Sequence, residues 1–178
     1  MLLTAPDQGN EAAATVETRA LTKANIEWLE HAYLDHYRDV FRYALWMTRS
    51  QSEAEEVVGD VFLHAAQARG PLPSSVLPWL LSIARRLSVD RWRRAKRLAS
   101  RLTLVRRESP PGEALEFWLW FDSVARVLTP RQREVLILRY QRDLSDRDIA
   151  SILGLTESGV RSLAARALEA LRAHPELM

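Results

Sequence analysis

The sequence predicts an all-α protein built as two small helical domains joined by a flexible linker. Three observations carry that expectation. Apolar residues recur at three- and four-residue spacing through most of the 178-residue chain, and no stretch alternates at period two for long. Glycine is scarce, with six in the whole chain. Prolines and cap residues fall where helices have to begin and end.

Residues 1–23 are small and polar without a sustained period, which predicts a disordered tail. From Ala24 to Met47 the residues Ile26, Leu29, Tyr33, Tyr37, Val40, Phe41, Ala44 and Leu45 predict an amphipathic helix, or two with a break near Asp39. Ser52-x-x-Glu55 has the form of a capping box and opens the next helix, with Val57, Val58, Val61, Phe62 and Ala65 inward. Glu53, Glu55, Glu56 and Asp60 lie on its outer side and first turn. Acids there favour the helix dipole, so they serve helix stability and solubility, a partner, or both.

Residues 70–78 (GPLPSSVLP) form a loop, and Pro78 starts a long helix through Trp79, Leu80, Ile83, Ala84, Leu87 and Trp92. That helix and its continuation carry Arg85, Arg86, Arg91, Arg93, Arg94, Lys96, Arg97 and Arg101. The net charge of +2 conceals a local excess. Residues 61–107 hold eleven bases and one acid, whereas 1–60 hold eleven acids and five bases, and 108–178 eleven acids and nine bases. A basic stripe of this kind is either a solvated face or a surface for phosphates, and tryptophans beside it offer stacking platforms for unpaired bases. Trp79 reads as core before platform, and Trp92 reads either way.

Residues 98–112 lose the apolar stripe and end in Pro110-Pro111-Gly112, which predicts a linker. Glu113–Val127 returns as a helix. Three more helices follow. Thr129 caps the first, with Pro130 at its first position. Ser145-x-x-Asp148 opens a short second helix with Ile149, Ala150, Ile152 and Leu153 inward. Gly154 turns the chain, Leu155 fills the corner and Thr156 caps a third helix, carrying Val160, Leu163, Ala164, Ala167, Leu168 and Leu171 on its apolar side. Small Ala150, Gly154 and Val160 in that order are the pattern of a helix-turn-helix. Arg161, Ser162 and Arg166 share a polar side of the third helix, where they can enter a major groove. Arginine bonds guanine in bidentate fashion and serine reaches a base edge or a phosphate.

Cysteine is absent, so disulfides and thiolate metal sites are excluded. No apolar run has the length of a membrane span and the N-terminus lacks a signal-peptide pattern, which together predict a cytoplasmic protein.

An acidic helix, a basic tryptophan-bearing helix, a linker and a C-terminal helix-turn-helix together resemble bacterial sigma factors of the extracytoplasmic-function (ECF) group. These are sigma-70-type factors with regions 2 and 4 alone. The resemblance covers about residues 24–172 and is strongest in EAEEVVGDVFLHA (53–65), WLLSIARRLSVDRWRR (79–94) and LTPRQREVLILRY with LSDRDIASILGLTESGVRS. It implies region 2 over 24–97, region 4 over 113–173, and a dissociable RNA polymerase subunit with no catalytic residues, metal or cofactor. It also implies the partners: core polymerase through the clamp helices of its largest subunit, promoter DNA, and in many members an anti-sigma factor.

By resemblance, core binding falls on Glu56, Gly59 and Asp60, with Gly59 where the family usually has Gln. The −10 element falls to the 69–78 loop and to Trp79, Arg85, Arg86, Arg93 and Arg94, with Arg86 where Asn is common. The −35 element falls to Arg139, Arg161, Ser162 and Arg166, while Leu163 and Ala165 stand at positions that are often basic and aromatic.

Two other readings compete. One is a helix-turn-helix regulator acting without polymerase, which leaves the acidic helix and the stripe unexplained. The other is a helical metal-dependent hydrolase using Glu27, Glu30, His31, Asp35 and His36, for which no second helix repeats the ligand pattern. The resemblance also implies a spacer of nearly two helical turns, which puts the two promoter elements on the order of 60 Å apart. A fully extended 98–112 spans about 50 Å, so the linker should be nearly taut on DNA, and the free chain mobile or collapsed.

Overall fold

A computed structural model of the chain describes residues 23–68, 73–99 and 127–174. Expectations for the tail, for residues 69–72, for most of the linker and for the helix beginning at Glu113 lie outside these residues. The described residues hold no strand.

Helix α1 (Lys23–Thr48) is one continuous helix with no break at Asp39. Its C-terminal half carries the core, where Val40, Tyr43 and Ala44 are fully buried. The expected inward residues Ile26 and Tyr33 are instead exposed, at 49% and 45%. The Tyr33 ring meets the edge of Phe62 at 4.8 Å between centroids. An apolar period marks a face able to be buried, and here it continues beyond the stretch that other helices cover.

The turn into helix α2 (Gln51–Gln67) is chemically specified. Thr48 donates its hydroxyl proton to the Ala44 carbonyl at 2.9 Å. Arg49 takes left-handed backbone at φ 59°, which ends α1. Ser50 caps α2 by accepting from the Glu53 N–H at 3.4 Å. The cap is therefore Ser50, and the expected Ser52-x-x-Glu55 box lies inside the helix. The cap falls two residues earlier because Arg49, in left-handed backbone, has already ended the preceding helix. Val57, Val58, Val61, Phe62 and Ala65 are buried as the period predicts, and Ala54 is buried with them.

Helix α3 (Val76–Ala99) has Pro78 in its first turn and runs into the span read as linker. Leu80, Leu81, Ile83 and Ala84 are buried against α1 and α2, completing a three-helix unit.

The second unit begins with α4 (Pro130–Leu136). Thr129 and Gln132 form a full capping box there, Gln132 accepting the Thr129 N–H at 2.8 Å. The helix widens into a π-helical segment, Ile137–Gln141, and the chain leaves it through Asp143 in left-handed backbone. Helix α5 (Asp146–Leu153) is capped by Ser145, which accepts from the Asp148 N–H. The Asp148 carboxylate receives the Ser145 hydroxyl proton at 2.6 Å. Gly154 follows in left-handed backbone at φ 64°, a conformation open to glycine at little cost. Thr156 caps α6 (Glu157–Arg172) through the Gly159 N–H. Helices α5 and α6, with Gly154 between them, are the expected helix-turn-helix.

The units are not separate. Helix α3 packs on α5, and one continuous buried cluster runs from Val40, Val57 and Leu80 through Val135 and Leu138 to Ile149 and Val160. The arrangement is the collapsed alternative.

A shared core predicts shared stability. Leu138→Ala, at a fully buried position, should cost about 2–5 kcal/mol. Amide hydrogen exchange at Val57 and Val61 in the other unit should accelerate with it. Unchanged exchange in α2 would show that the units unfold independently.

Candidate nucleic-acid interface

On α2 the spacing i, i+3, i+4 puts Glu56, Gly59 and Asp60 on one outward stripe. Both carboxylates turn to one cation. Arg91 of α3 donates to Glu56 Oε2 at 2.5 Å and to Asp60 Oδ2 at 2.7 Å. The hydrogen bonds, Glu56's first, hold the Arg91 guanidinium above its usual pKa. The acids remain accessible, at 60% and 42% side-chain exposure. Arg91 was absent from the expected site residues. A signal existed, because Leu80, Ala84, Leu87 and Arg91 share the 4-3-4 spacing of the inward side of α3. A Cβ added at Gly59 would meet no atom within 4 Å.

The basic stripe divides by direction. Arg86, Arg93 and Arg94 are exposed, with Arg93 Nη1 at 3.8 Å from Asp90. Trp92 is 59% exposed and Lys96 Nζ sits 5.2 Å from its ring centroid, a cation–π pair open to solvent. Trp79 lies on the inner side, half-buried and tilted at 59° against Trp28, with centroids 6.1 Å apart. Arg85 also turns inward, and its Nε donates to Glu134 Oε1 at 2.9 Å. In this arrangement Trp79 and Arg85 face the protein, whereas the other three expected −10 residues face solvent.

On α6, Arg161, Ser162 and Arg166 are all exposed on the polar side. Arg161 Nη1 lies 3.7 Å from both Asp146 Oδ2 and Glu157 Oε2, contacts loose enough to exchange for a nucleic acid. Arg139, on the π-helical segment, bonds Asp146 Oδ1. Asp146 thus holds the two arginines beside each other. Leu163 is half-buried against the core and Ala165 is exposed without a polar group, so the reading surface is short.

A second set of polar contacts joins the units, and no local pattern announced it. Tyr43 is fully buried and donates to Glu134 Oε1 at 2.7 Å. Glu134 is 5% exposed and also faces Arg131 Nη1 at 3.8 Å. Burial, then the Glu134 charge and hydrogen bond, push the Tyr43 phenol well above its ordinary pKa, so it stays a proton donor. Beside it, Arg142 donates to Asp39 Oδ1 at 2.8 Å with its own side chain 8% exposed. Burial lowers the Arg142 pKa and Asp39 offsets part of that.

The candidate hydrolase residues Glu27, Glu30, His31, Asp35 and His36 lie along the single helix α1. Among the described residues no three His, Asp or Glu side chains gather in a way that could hold a metal ion. No helix among the described residues is long and apolar enough to cross a membrane.

The comparisons with known proteins agree with this geometry. Residues 32–98 match the family model "Sigma-70 region 2" and residues 125–173 match "Sigma-70, region 4". A probable RNA polymerase sigma factor, RfaY, of Xanthomonas campestris pv. campestris is 31% identical over 72% of this chain. The chain spans 36% of that relative's length. The ECF RNA polymerase sigma factor SigL of Mycobacterium tuberculosis is 30% identical over 79% of this chain and 84% of its own length. Among solved structures, the sigma factor RpoE in complex with the anti-sigma factor NepR from Bartonella quintana superposes with a TM-score of 0.70. That match has 23% identity and covers 85% of this chain and 96% of that one, a likeness of fold. With both region models matched in order and a relative such as SigL 30% identical over 84% of its length, the chain belongs to the ECF group of sigma-70 family RNA polymerase sigma factors.

Proposed function

We propose that the chain binds core RNA polymerase, recognises −35 and −10 promoter elements and starts promoter melting. The observation that carries this reading is the separation of charge over adjoining surfaces. An accessible acidic stripe on α2, basic groups along the outer side of α3 and an arginine pair on α6 suit three different contacts. The family consists of initiation factors that have no catalysis of their own.

In this reading residues 24–97 act as region 2 and 113–173 as region 4, with 98–112 as linker and 1–23 as tail. Glu56 and Asp60 meet basic groups on the polymerase clamp helices, and Gly59 lies between them on the same stripe without a side-chain contact of its own. Arg86, Arg93 and Arg94 neutralise phosphates near the −10 element, and each neutralised phosphate releases counterions. Arg85 joins them when the units part, and Trp79 serves the −10 element from its place beside Trp28 in the same unit. Capturing a flipped base offsets the few kcal/mol that unpairing costs and so favours open DNA. Arg161, Ser162 and Arg166 read the −35 element while Arg139 contacts its backbone. The protein works in the cytoplasm and reaches the nucleoid within the holoenzyme. RpoE forms a complex with the anti-sigma factor NepR, and a partner of that class belongs to this reading too.

Two sets of variants test it. Glu56→Lys with Asp60→Lys should weaken holoenzyme assembly at least tenfold in a fluorescence anisotropy titration with core polymerase, with far-UV helicity intact. Like-charge contacts at an interface act in that direction. Unchanged assembly rejects the role of the stripe. Arg161→Ala and Arg166→Ala should each lose about 1–3 kcal/mol of promoter binding and relax preference at one or two base pairs. Arg139→Ala should weaken all sequences alike, and an equal loss for all three would show that α6 positions without specifying.

Gly59 supplies an independent check. Since its Cβ would be unobstructed, Gly59→Gln should raise helix stability by roughly 0.5–1 kcal/mol. It should leave polymerase assembly unchanged or stronger. A lower melting temperature would show that the position needs glycine.

A further inference from the structure

Asp146 is the first residue of α5, yet its carboxylate bonds to neighbouring elements and not to its own helix end. The cap there is made by Ser145 and Asp148, the Ser145 hydroxyl oxygen accepting the Asp148 N–H at 3.2 Å. Asp146 Oδ1 instead accepts from Arg139 Nη2 on the π-helical segment. Its other oxygen, Oδ2, lies 3.7 Å from Arg161 Nη1 on α6, which is equally far from Glu157 Oε2. One carboxylate therefore spans the arginine assigned to the −35 backbone and an arginine assigned to its bases.

We infer that Asp146 is a positioning residue for −35 discrimination: it bridges Arg139 to Arg161, aims the Arg161 guanidinium before docking and offsets part of the pair's attraction to DNA of any sequence. Within the two-element reading, on which this rests, Asp146 is a specificity determinant that need not touch a base itself.

The chemistry follows from what an unheld arginine does. At an exposed helix start it meets phosphates as readily as bases, because neutralising a phosphate releases counterions on every sequence. Asp146 is the more buried partner, with its side chain 22% exposed against 59% for Arg161, so it is the fixed end of the contact. Both acid contacts of Arg161 fall on Nη1, which leaves the remaining donors of the fork for a base edge. A fork placed before docking loses less to ordering when it binds. The acid also repels phosphates of right and wrong sequences alike, whereas the aimed fork favours the right ones alone. Exposed ion pairs add little to stability, so the bridge acts through placement.

The test uses holoenzyme assembled from core polymerase and the full chain. Its probes are labelled duplexes carrying a −35 block that the unmodified holoenzyme selects from a randomised library, their single-base-pair variants, and duplexes of random −35 sequence. Asp146→Asn keeps the shape of the side chain and removes its charge. In fluorescence anisotropy titrations it should tighten binding to random duplexes about two- to fivefold and steepen the salt dependence by about one phosphate contact. It should also cut discrimination about fivefold or more at the base pairs that Arg161→Ala relaxes. Preference set by Arg166, which lies outside the bridge, should stay. Discrimination unchanged within about twofold, with helicity intact, overturns the inference.

If Asp146→Asn loses helicity, Asp146→Glu decides. It keeps an acid in the first turn of α5, where the helix dipole favours one, but carries the carboxylate one methylene further from the backbone. Discrimination should fall while the salt dependence stays, and full discrimination would equally overturn the positioning role. An unmodified holoenzyme that selects no −35 block would overturn the two-element reading, and this role with it, before any variant is compared.

Discussion

A carboxylate removed from water has to be paired, and Glu134 is paired across the boundary between the two units. Its 5% exposure is tolerable because a phenol and a guanidinium from the other unit both donate to it. Remove either donor and a buried charge is left short of partners, which costs far more than the contact itself contributes. The inward turn of Arg85 and the hydroxyl of buried Tyr43 satisfy this group, while a continuous apolar cluster packs α3 on α5 around it.

Helix α3 consequently has three duties on three sides. Its apolar side closes the N-terminal unit through Leu80, Leu81, Ile83 and Ala84. Arg91 continues that side outward and holds Glu56 and Asp60, so the acidic stripe on α2 is positioned by the same helix that bears the basic stripe. The remaining side presents Arg86, Arg93 and Arg94 to solvent. Charge that appears in the sequence as one continuous excess is thus divided among a seam, a clamp on two acids and an open surface.

What could be read from the sequence was local chemistry. Thr129, Ser145 and Thr156 cap the helices expected of them, and Gly154 adopts the left-handed turn, because each depends on atoms within four residues. Competing local signals were harder. Ser50 and Ser52 both suit a cap, and the choice fell to Ser50 because Arg49 ends α1. The burial of Ile26 and Tyr33 could not be settled by period alone, since it depends on which neighbours reach them. The seam was illegible for a stronger reason. Tyr43 and Glu134 are 91 residues apart, and Arg142 and Asp39 are 103 apart, so no spacing rule connects them. Arg91 stands between these cases, with an inward position visible in its spacing and a partner that was not.

The central claim is that one chain reads two promoter elements at once on behalf of polymerase. Run-off transcription with core enzyme on a randomised promoter library, followed by sequencing of the templates that initiate, tests this most directly. Two short sequence blocks should be enriched at one fixed spacing near two helical turns, with transcription falling steeply when the spacer changes by half a turn. Initiation no greater than with core enzyme alone, or transcription indifferent to that spacing, would contradict it.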